Sequence, residues 1–377
     1  MMFSIGTHFS PMRLGAVILS VVGLCAFVFW YLSLDVHSTT PVASLVQQPE
    51  VVHQLSSEAP PLPTYATTSV WFIGDIMLSR EVAVYAQREG YDYPWRLLGN
   101  VFDGSWVVAN FEACVSTTTT YSNDQTMRFP VRTNMIKPLR DAGITHVSLA
   151  NNHALDCGRT AYKSSRHYLE QSGLIAFGHS INVDTASIGY FKIGQTRVAV
   201  IGIHTLFVTP DPVALAATFK EAALHSDLQV AFVHWGEEYV DRAVPAQRAL
   251  AGALVALGAD VVIGHHPHVV EDIEMIDGVP VIYSLGNFIF DQYFSRAVQE
   301  GLGIRLLLTP QPHLELVPFT SLNNRTQTRR MGEVQKSEFL EKLASRSAPG
   351  LAEDIRNGVI YFDPQLATSS ETAIIAP

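Results

Sequence analysis

Cysteine is scarce. The 377 residues include three, Cys25, Cys114 and Cys157, too few for a disulfide framework or a cluster of thiolate ligands. A single Cys114–Cys157 bridge stays open, because spacing alone does not decide it. Positive charge is also short. Lys and Arg number 25 against 35 Asp and Glu, giving a net charge of −10 and a pI near 5.7. That balance argues against nucleic acid, or an anionic membrane surface, as the main partner. Internal repeats and heptad runs are absent. Charged residues make up only 16% and hydrophobic residues 47%, so one large domain or two small ones can bury a sizeable core.

Among what is present, the N-terminal run LGAVILSVVGLCAFVFWYLSL stands out. Leu14 to Leu34 is uncharged and 21 residues long, and a membrane-spanning helix needs about 20. Trp30 and Tyr31 sit near its outer end, Arg13 precedes it and Asp35 follows. The charge bias predicts a single-pass anchor in the cell membrane, with residues 1–35 as cytoplasmic N-terminus plus anchor and the main domain extracytoplasmic. A cleaved signal peptide is the rival reading. Its apolar core would run about 7–15 residues, and SLDVHSTT offers no clean small-x-small site. Residues 36–66 carry Pro41, Pro49, Pro60, Pro61 and Pro63 without sustained periodicity, which predicts a semi-extended tether.

From residue 67 short apolar runs end abruptly in polar residues. They are SVWFIGD (69–75), SWVVANFE (105–112), THVSLANNH (145–153), RVAVIGIH (197–204), LQVAFVHWGEE (228–238), ADVVIGHHPH (259–268) and VPVIYSLGNFIFD (279–291). Helix-like stretches such as NMIKPLRDAG, PVALAATFKEAALHSD and AQRALAGALVALGAD lie between several of them. Alternating strands and helices predict an α/β domain with covered sheets, over 67–320. Beyond it, 321–377 reads as an extension in which NNRTQTRRMG is a solvated basic turn, Lys336–Ala348 an amphipathic helix and the end a loose tail.

Each polar terminus has a plain structural reading. Asp75 could cap the helix begun by MLSREVAVYAQ, Asn151 or Asn152 could satisfy loop backbone, Asp156 could start a helix, and His204 could be a hydrogen-bonded core histidine. Buried polar groups without partners cost about 1–3 kcal/mol each by mutational estimates, so convergence on a shared partner is the more economical account. Carboxylates (Asp75, Glu112), amides (Asn110, Asn151, Asn152) and imidazoles (His153, His234, His266, His268) suit divalent Mn, Fe or Zn. More than four candidates suggests two metals. Pro267 disfavours the helical region for His266. An extended HPH would then turn His266 and His268 to one side and His265 away.

GDIMLSR (74–80), NFE (110–112), ANNHALDCG (150–158), HWGEEY (234–239), GHHPHV (264–269) and SLGNFIFDQ (284–292) resemble the CapA family of capsule synthesis, linked to poly-γ-glutamate production, within the calcineurin-like metallophosphoesterases. The resemblance covers roughly 67–320. It implies a metallophosphoesterase-like sandwich of two mixed β-sheets flanked by helices, preceded by one transmembrane helix, with a metal site of one or two ions at the strand ends. It further implies Asp75, Glu112, Asn152, His234, His266 and His268 as ligands, with Glu112 bridging, and His153 as acid or oxyanion stabiliser beside Asp75. Asn110, Asn151, Asp156, Glu237, Glu238, His265, Asn287 and Asp291 would stand behind the ligands or against substrate. Two motifs depart from the superfamily's pattern. Its D-x-H reads Asp75-Ile76-Met77, and its G-D reads Asn110-Phe111-Glu112. A thioether is a poor substitute for imidazole toward Mn or Zn, and Glu237 or Glu238 is the expected source of the missing charge.

The implied function is capsule or poly-γ-glutamate synthesis or export by a metal-dependent phosphoesterase-like site. Its partners would be a polyanionic polymer or phosphorylated precursor, the membrane and other synthase subunits. The rivals are a non-catalytic polymer-binding scaffold and a general secreted metallophosphodiesterase.

Overall fold

In the strand Ser69–Ile76 alternate residues serve different cores. Val70 and Phe72 belong to one buried cluster, Trp71 and Ile73 to another. The strand Leu228–His234 divides likewise, with Val230 and Phe232 on one side and Ala231 and Val233 on the other. Both faces of both strands are covered, which is why their sequences are apolar throughout.

The computed structural model describes residues 68–102, 104–117 and 127–364. The expected anchor Leu14–Leu34 and the tether 36–66 lie outside the described residues, as does the tail beyond 364. Among the described residues no helix is long and apolar enough to cross a membrane.

The strands are β1 (Ser69–Ile76), β2 (Trp106–Phe111), β3 (Cys114–Ser116), β4 (Pro130–Arg132), β5 (His146–Ser148), β6 (Ile175–Phe177), β7 (Ile188–Ile193), β8 (Thr196–His204), β9 (Leu228–His234), β10 (Val261–His265), β11 (Ile273–Ile276), β12 (Val279–Ile282), β13 (Asn287–Ile289), β14 (Glu300–Leu307), β15 (His313–Thr320), β16 (Arg329–Arg330) and β17 (Val359–Tyr361). The helices are α1 (Arg80–Glu89), α2 (Ile136–Asp141), α3 (Arg159–Gln171), α4 (Pro212–His225), α5 (Pro245–Ala256), α6 (Glu333–Arg346) and α7 (Ala352–Asn357).

A nine-stranded sheet runs β16-β15-β14-β1-β2-β5-β6, with β13 added to β1 and β17 to β15. A six-stranded sheet runs β11-β12-β10-β9-β8-β7. Both mix parallel and antiparallel pairs. Their facing surfaces share one core, from Phe72 and Val108 on the first sheet to Val200, Val230 and Ile263 on the second. Helices α4 and α5 bury Phe219 and Leu254 against the outer face of the six-stranded sheet.

Asp75 sits at the C-terminal end of β1, with Ser79 rather than Asp75 at the cap position of α1. Asp156 does not start α3, where Gly158 occupies the cap. The run 279–291, read as one strand, is two: β12 in the smaller sheet and β13 in the larger. The crossing occurs at Gly286, whose φ of 66° few other residues adopt. The chain also continues into the fold after Thr320. Phe339, Leu340 and Leu343 of α6 enter the inter-sheet core, and β17 extends the larger sheet.

Candidate metal centre

The site forms where strands of both sheets end side by side. In the larger sheet Asp75 is paired with Asn110 on β2 and with Asn287 on β13. In the smaller sheet His204, His234 and His265 occupy one register row across β8, β9 and β10. Two glycines allow the approach. A Cβ on Gly74 would lie 1.9 Å from the Gly286 carbonyl oxygen, and one on Gly264 1.9 Å from that of Tyr283.

Asp75 and Glu112 are fully buried. Asn110 donates from Nδ2 to Asp75 Oδ1 at 2.8 Å and to His234 Nδ1 at 3.2 Å. His234 in turn donates from Nε2 to Asn152 Oδ1 at 2.9 Å. Asn151 holds the loop itself: its Oδ1 accepts from the His153 and Ala154 amides, and its Nδ2 donates to Asn110 Oδ1 at 3.0 Å and to the Phe111 carbonyl. His268 Nδ1 lies 3.0 Å from Asn287 Oδ1 and 3.2 Å from Asp75 Oδ2, which turns its Nε2 toward Glu112 Oε1 at 3.7 Å. His153 donates from Nδ1 to Asp156 Oδ2 at 2.7 Å, and its Nε2 lies 3.8 Å from the same Glu112 oxygen. Both approaches to Glu112 are too long for hydrogen bonds.

Two groups of ligand atoms, each mutually within 4.8 Å, result: Asp75, Glu112 and His234, and Glu112, His266 and His268. Glu112 belongs to both. Its Oε1 and His266 Nδ1 are buried without a hydrogen-bond partner. Burial, then the Asp75 carboxylate, pushes Glu112 well above the carboxylate range. Burial opposes charge on Asp75 too and is the largest single influence, but the hydrogen bond and charge of His268, with His265 and the Asn110 hydrogen bond, together outweigh it and hold Asp75 below its ordinary value. Burial likewise resists charging His268, yet Glu112 and Asp75 raise it to about 9. Burial and then neighbouring imidazoles drive His234 well down, and burial with His268 drives His266 to about 3. The neutral His234 and His266 imidazoles and the buried Asp75 and Glu112 carboxyls with unused lone pairs are a donor set that fits a divalent cation, whose charge would replace the proton that His268 holds without it.

The extended HPH expectation needs correction. His266 has φ 100° and His268 φ 58°, so alternation along an extended chain does not set their directions. Their rings still lie 5.7 Å apart on one group of ligand atoms. His265 turns away onto Phe232 at 4.1 Å, with its Nε2 3.3 Å from the Ile73 carbonyl oxygen. Neither Glu237 nor Glu238 joins a ligand group among the described residues. Glu237 is exposed and lines a separate, largely apolar cavity of about 700 Å³ with Trp235 and Leu250. Glu238 lines a cavity of about 530 Å³ that opens over His153 and His268. Asp291 pairs with Arg80 rather than with a ligand. Met77 is fully buried, and its sulfur accepts the Ser79 amide at 3.1 Å.

Sequence reading missed Arg80, Phe129 and Tyr239, all on the 530 Å³ cavity. It gave His204 only a core role. His204 does donate from Nδ1 to the Ser180 carbonyl at 2.7 Å, but its Nε2 is buried without a partner, 5.7 Å from His234 between ring centres. The row of three histidines at one register position was the available signal.

Residues 69–292 match the family described as bacterial capsule synthesis protein PGA_cap. The chain belongs to that family. The PGA biosynthesis protein CapA of Bacillus subtilis (strain 168) is 33% identical over 265 residues, 65% of this chain and 70% of that protein. The capsule biosynthesis protein CapA of Bacillus anthracis is 32% identical over 252 residues, 61% of each chain. Among solved structures, a putative 5′-nucleotidase from Staphylococcus aureus in complex with alpha-ketoglutarate overlaps 77% of this chain and 58% of its own, at TM-score 0.43 and 12% identity. A novel phosphatase of Mycoplasma pneumoniae overlaps 70% and 92%, at TM-score 0.39 and 15% identity. Likenesses that loose carry no argument about chemistry, so the capsule family rests on the sequence match.

Proposed function

We propose that the chain is a metal-dependent hydrolase or transferase of capsule or poly-γ-glutamate synthesis or export, held on the outer side of the cell membrane by Leu14–Leu34. The observation that carries the reading is Glu112, one buried carboxylate common to two ligand groups with an oxygen left unpartnered. Asp75, Glu112, Asn152, His234, His266 and His268 would hold one or two ions of Mn, Fe or Zn. A divalent cation supplies Lewis acidity toward a phosphoryl or acyl oxygen. The protein supplies the rest. Asn287 and Asp75 fix the His268 ring, Asn110 and Asn152 fix His234, and Asp156 fixes His153 so that its Nε2 faces the cavity to hold or deliver a proton to a leaving group. The substrate would be the polyanionic polymer or a phosphorylated precursor, and other membrane synthase subunits would be the partners.

Met77 leaves the set one imidazole short of the superfamily's pattern, so metal count is the deciding measurement. Elemental analysis of the full chain, purified without chelator, is expected to give one or two divalent ions, lost in an Asp75→Ala, His234→Ala double variant. A wild-type chain that carries no divalent metal and cleaves neither a model phosphodiester nor a γ-glutamyl oligomer, yet binds the polymer, would establish the scaffold reading instead.

A further inference from the structure

Arg80 is held in a way its structural role does not explain. It opens α1 with φ 45°, a conformation bulky side chains rarely adopt. Asp291 accepts from Nε at 3.1 Å and from one terminal nitrogen, and also takes the Glu81 amide at 3.1 Å. Those bonds tie α1 to the loop after β13. They use one edge of the guanidinium and satisfy Asp291. The other terminal nitrogen, Nη1, has no hydrogen-bond partner among the described residues. The guanidinium carbon lies 4.7 Å from the centre of the Phe129 ring, and the His153 ring stacks on that same phenyl at 3.8 Å. Phe129 therefore sets the guanidinium relative to the imidazole. Arg80, His153 and His268 line the same cavity of about 530 Å³. Left-handed backbone also gathers there: Tyr239 (φ 64°) and His268 (φ 58°) share the cavity with Arg80, and His266 (φ 100°) lies beside it. Strain of that kind persists where surrounding structure over-determines it, commonly at ligand sites.

We propose that Arg80 is the specificity-determining residue of this cavity and that it receives an anionic group of the substrate, a carboxylate or a phosphate, beside the bond presented to His153. A guanidinium braced by a carboxylate and an aromatic face is already ordered, so little side-chain freedom is lost when its free edge takes two oxygens. Two sources share that chemistry. A γ-linked glutamate chain carries an α-carboxylate next to every amide, and a phosphorylated precursor carries unesterified phosphate oxygens. The inference rests on the site acting on substrate, as proposed above.

The test titrates the full chain calorimetrically with two probes, inorganic phosphate and γ-linked tetraglutamate, with metal content and unfolding midpoint measured on the same samples. Arg80→Gln combined with Asp291→Asn leaves no uncompensated buried charge. It is expected to weaken the bound probe at least tenfold with metal content unchanged. Arg80→Lys keeps the charge but loses the fork, and is expected to weaken it about fivefold. Whichever probe binds wild type identifies the source. Affinities within twofold of wild type in both variants overturn the proposal, and a lowered midpoint alone would then reduce Arg80 to a tie between α1 and its loop. Failure of wild type to bind either probe overturns it as well. Absence of metal from wild type would strike the proposed function separately, because probe binding is read against matched metal content.

Discussion

Glu112 is fully buried, and its Oε1 lies 3.7–3.8 Å from two imidazole nitrogens without bonding either. Such a carboxylate destabilises the cation-free fold, since an unsatisfied buried polar group costs about 1–3 kcal/mol. Glu112→Met, which keeps the length and removes the polar atoms, is therefore expected to raise the chelated protein's unfolding free energy by about that amount. Manganese should stabilise wild type, by about 2.7 kcal/mol at a hundredfold excess over Kd, and the variant little. Equal manganese shifts in urea melts of the two proteins would remove Glu112 from the ligand set. Another histidine, away from this cluster, adds to the acid sensitivity that buried His234 and His266 bring. His146 packs between Trp106 at 5.5 Å and Phe191 at 5.1 Å, and burial pushes it down to about 4. Its unfolded value is about 6.5. Between those limits the unfolded chain holds a proton that the folded chain refuses, so stability falls as pH drops from about 6.5 toward 4, by up to about 1.4 kcal/mol per unit. His146→Phe is expected to remove its own share of that fall, about 3 kcal/mol at pH 4, and to leave the share of the site histidines in place. A denaturant midpoint tracking wild type across the window would contradict the assignment.

Elements meet at this site through close backbone approach as well as through side chains. Gly74→Ala would put a methyl 1.9 Å from the Gly286 carbonyl oxygen, in the strand carrying Asp75. We expect a loss above about 3 kcal/mol together with loss of bound metal. Gly252→Ala in α5 meets nothing within 4 Å and should gain up to about 1 kcal/mol by helix propensity. Urea unfolding of the pair separates close approach from a general intolerance of alanine. The strands ending in Asp75, Glu112, His234 and His265 were legible because both of their faces are covered, which writes long apolar runs punctuated by one polar residue. The division of 279–291 was not, since a run that changes sheets has the same apolar composition as one that does not. Arg80 and Asp291 stand 211 positions apart, and nothing local in SRE or FDQ announces their pairing. Left-handed backbone at His266 and His268 was hidden for the same reason: Pro267 restricts its predecessor, but tertiary packing chose between the conformations left open.

At the scale of the whole molecule the outward placement proposed above makes a prediction at Cys114 and Cys157. They are joined in this structure across 43 positions. The bridge ties β3, two residues beyond Glu112, to the loop carrying Asn152, His153 and Asp156. Closing a loop of that length stabilises by about 2–4 kcal/mol, so Cys114→Ser with Cys157→Ser is expected to lower unfolding free energy by that amount. Disulfides persist in oxidising compartments and are rare in reducing cytosol, so the proposed outward placement requires the bridge to form in the cell. Acid-quenched cells expressing the full chain should therefore yield Cys114 and Cys157 resistant to alkylation until a reductant is added. External protease should remove the domain from cells stripped of their outer layers. Free thiols at both positions in the quenched sample, with the domain protected from protease, would place it in the cytoplasm and remove outward-facing polymer synthesis from the proposed function, while leaving the ligand cluster as it stands.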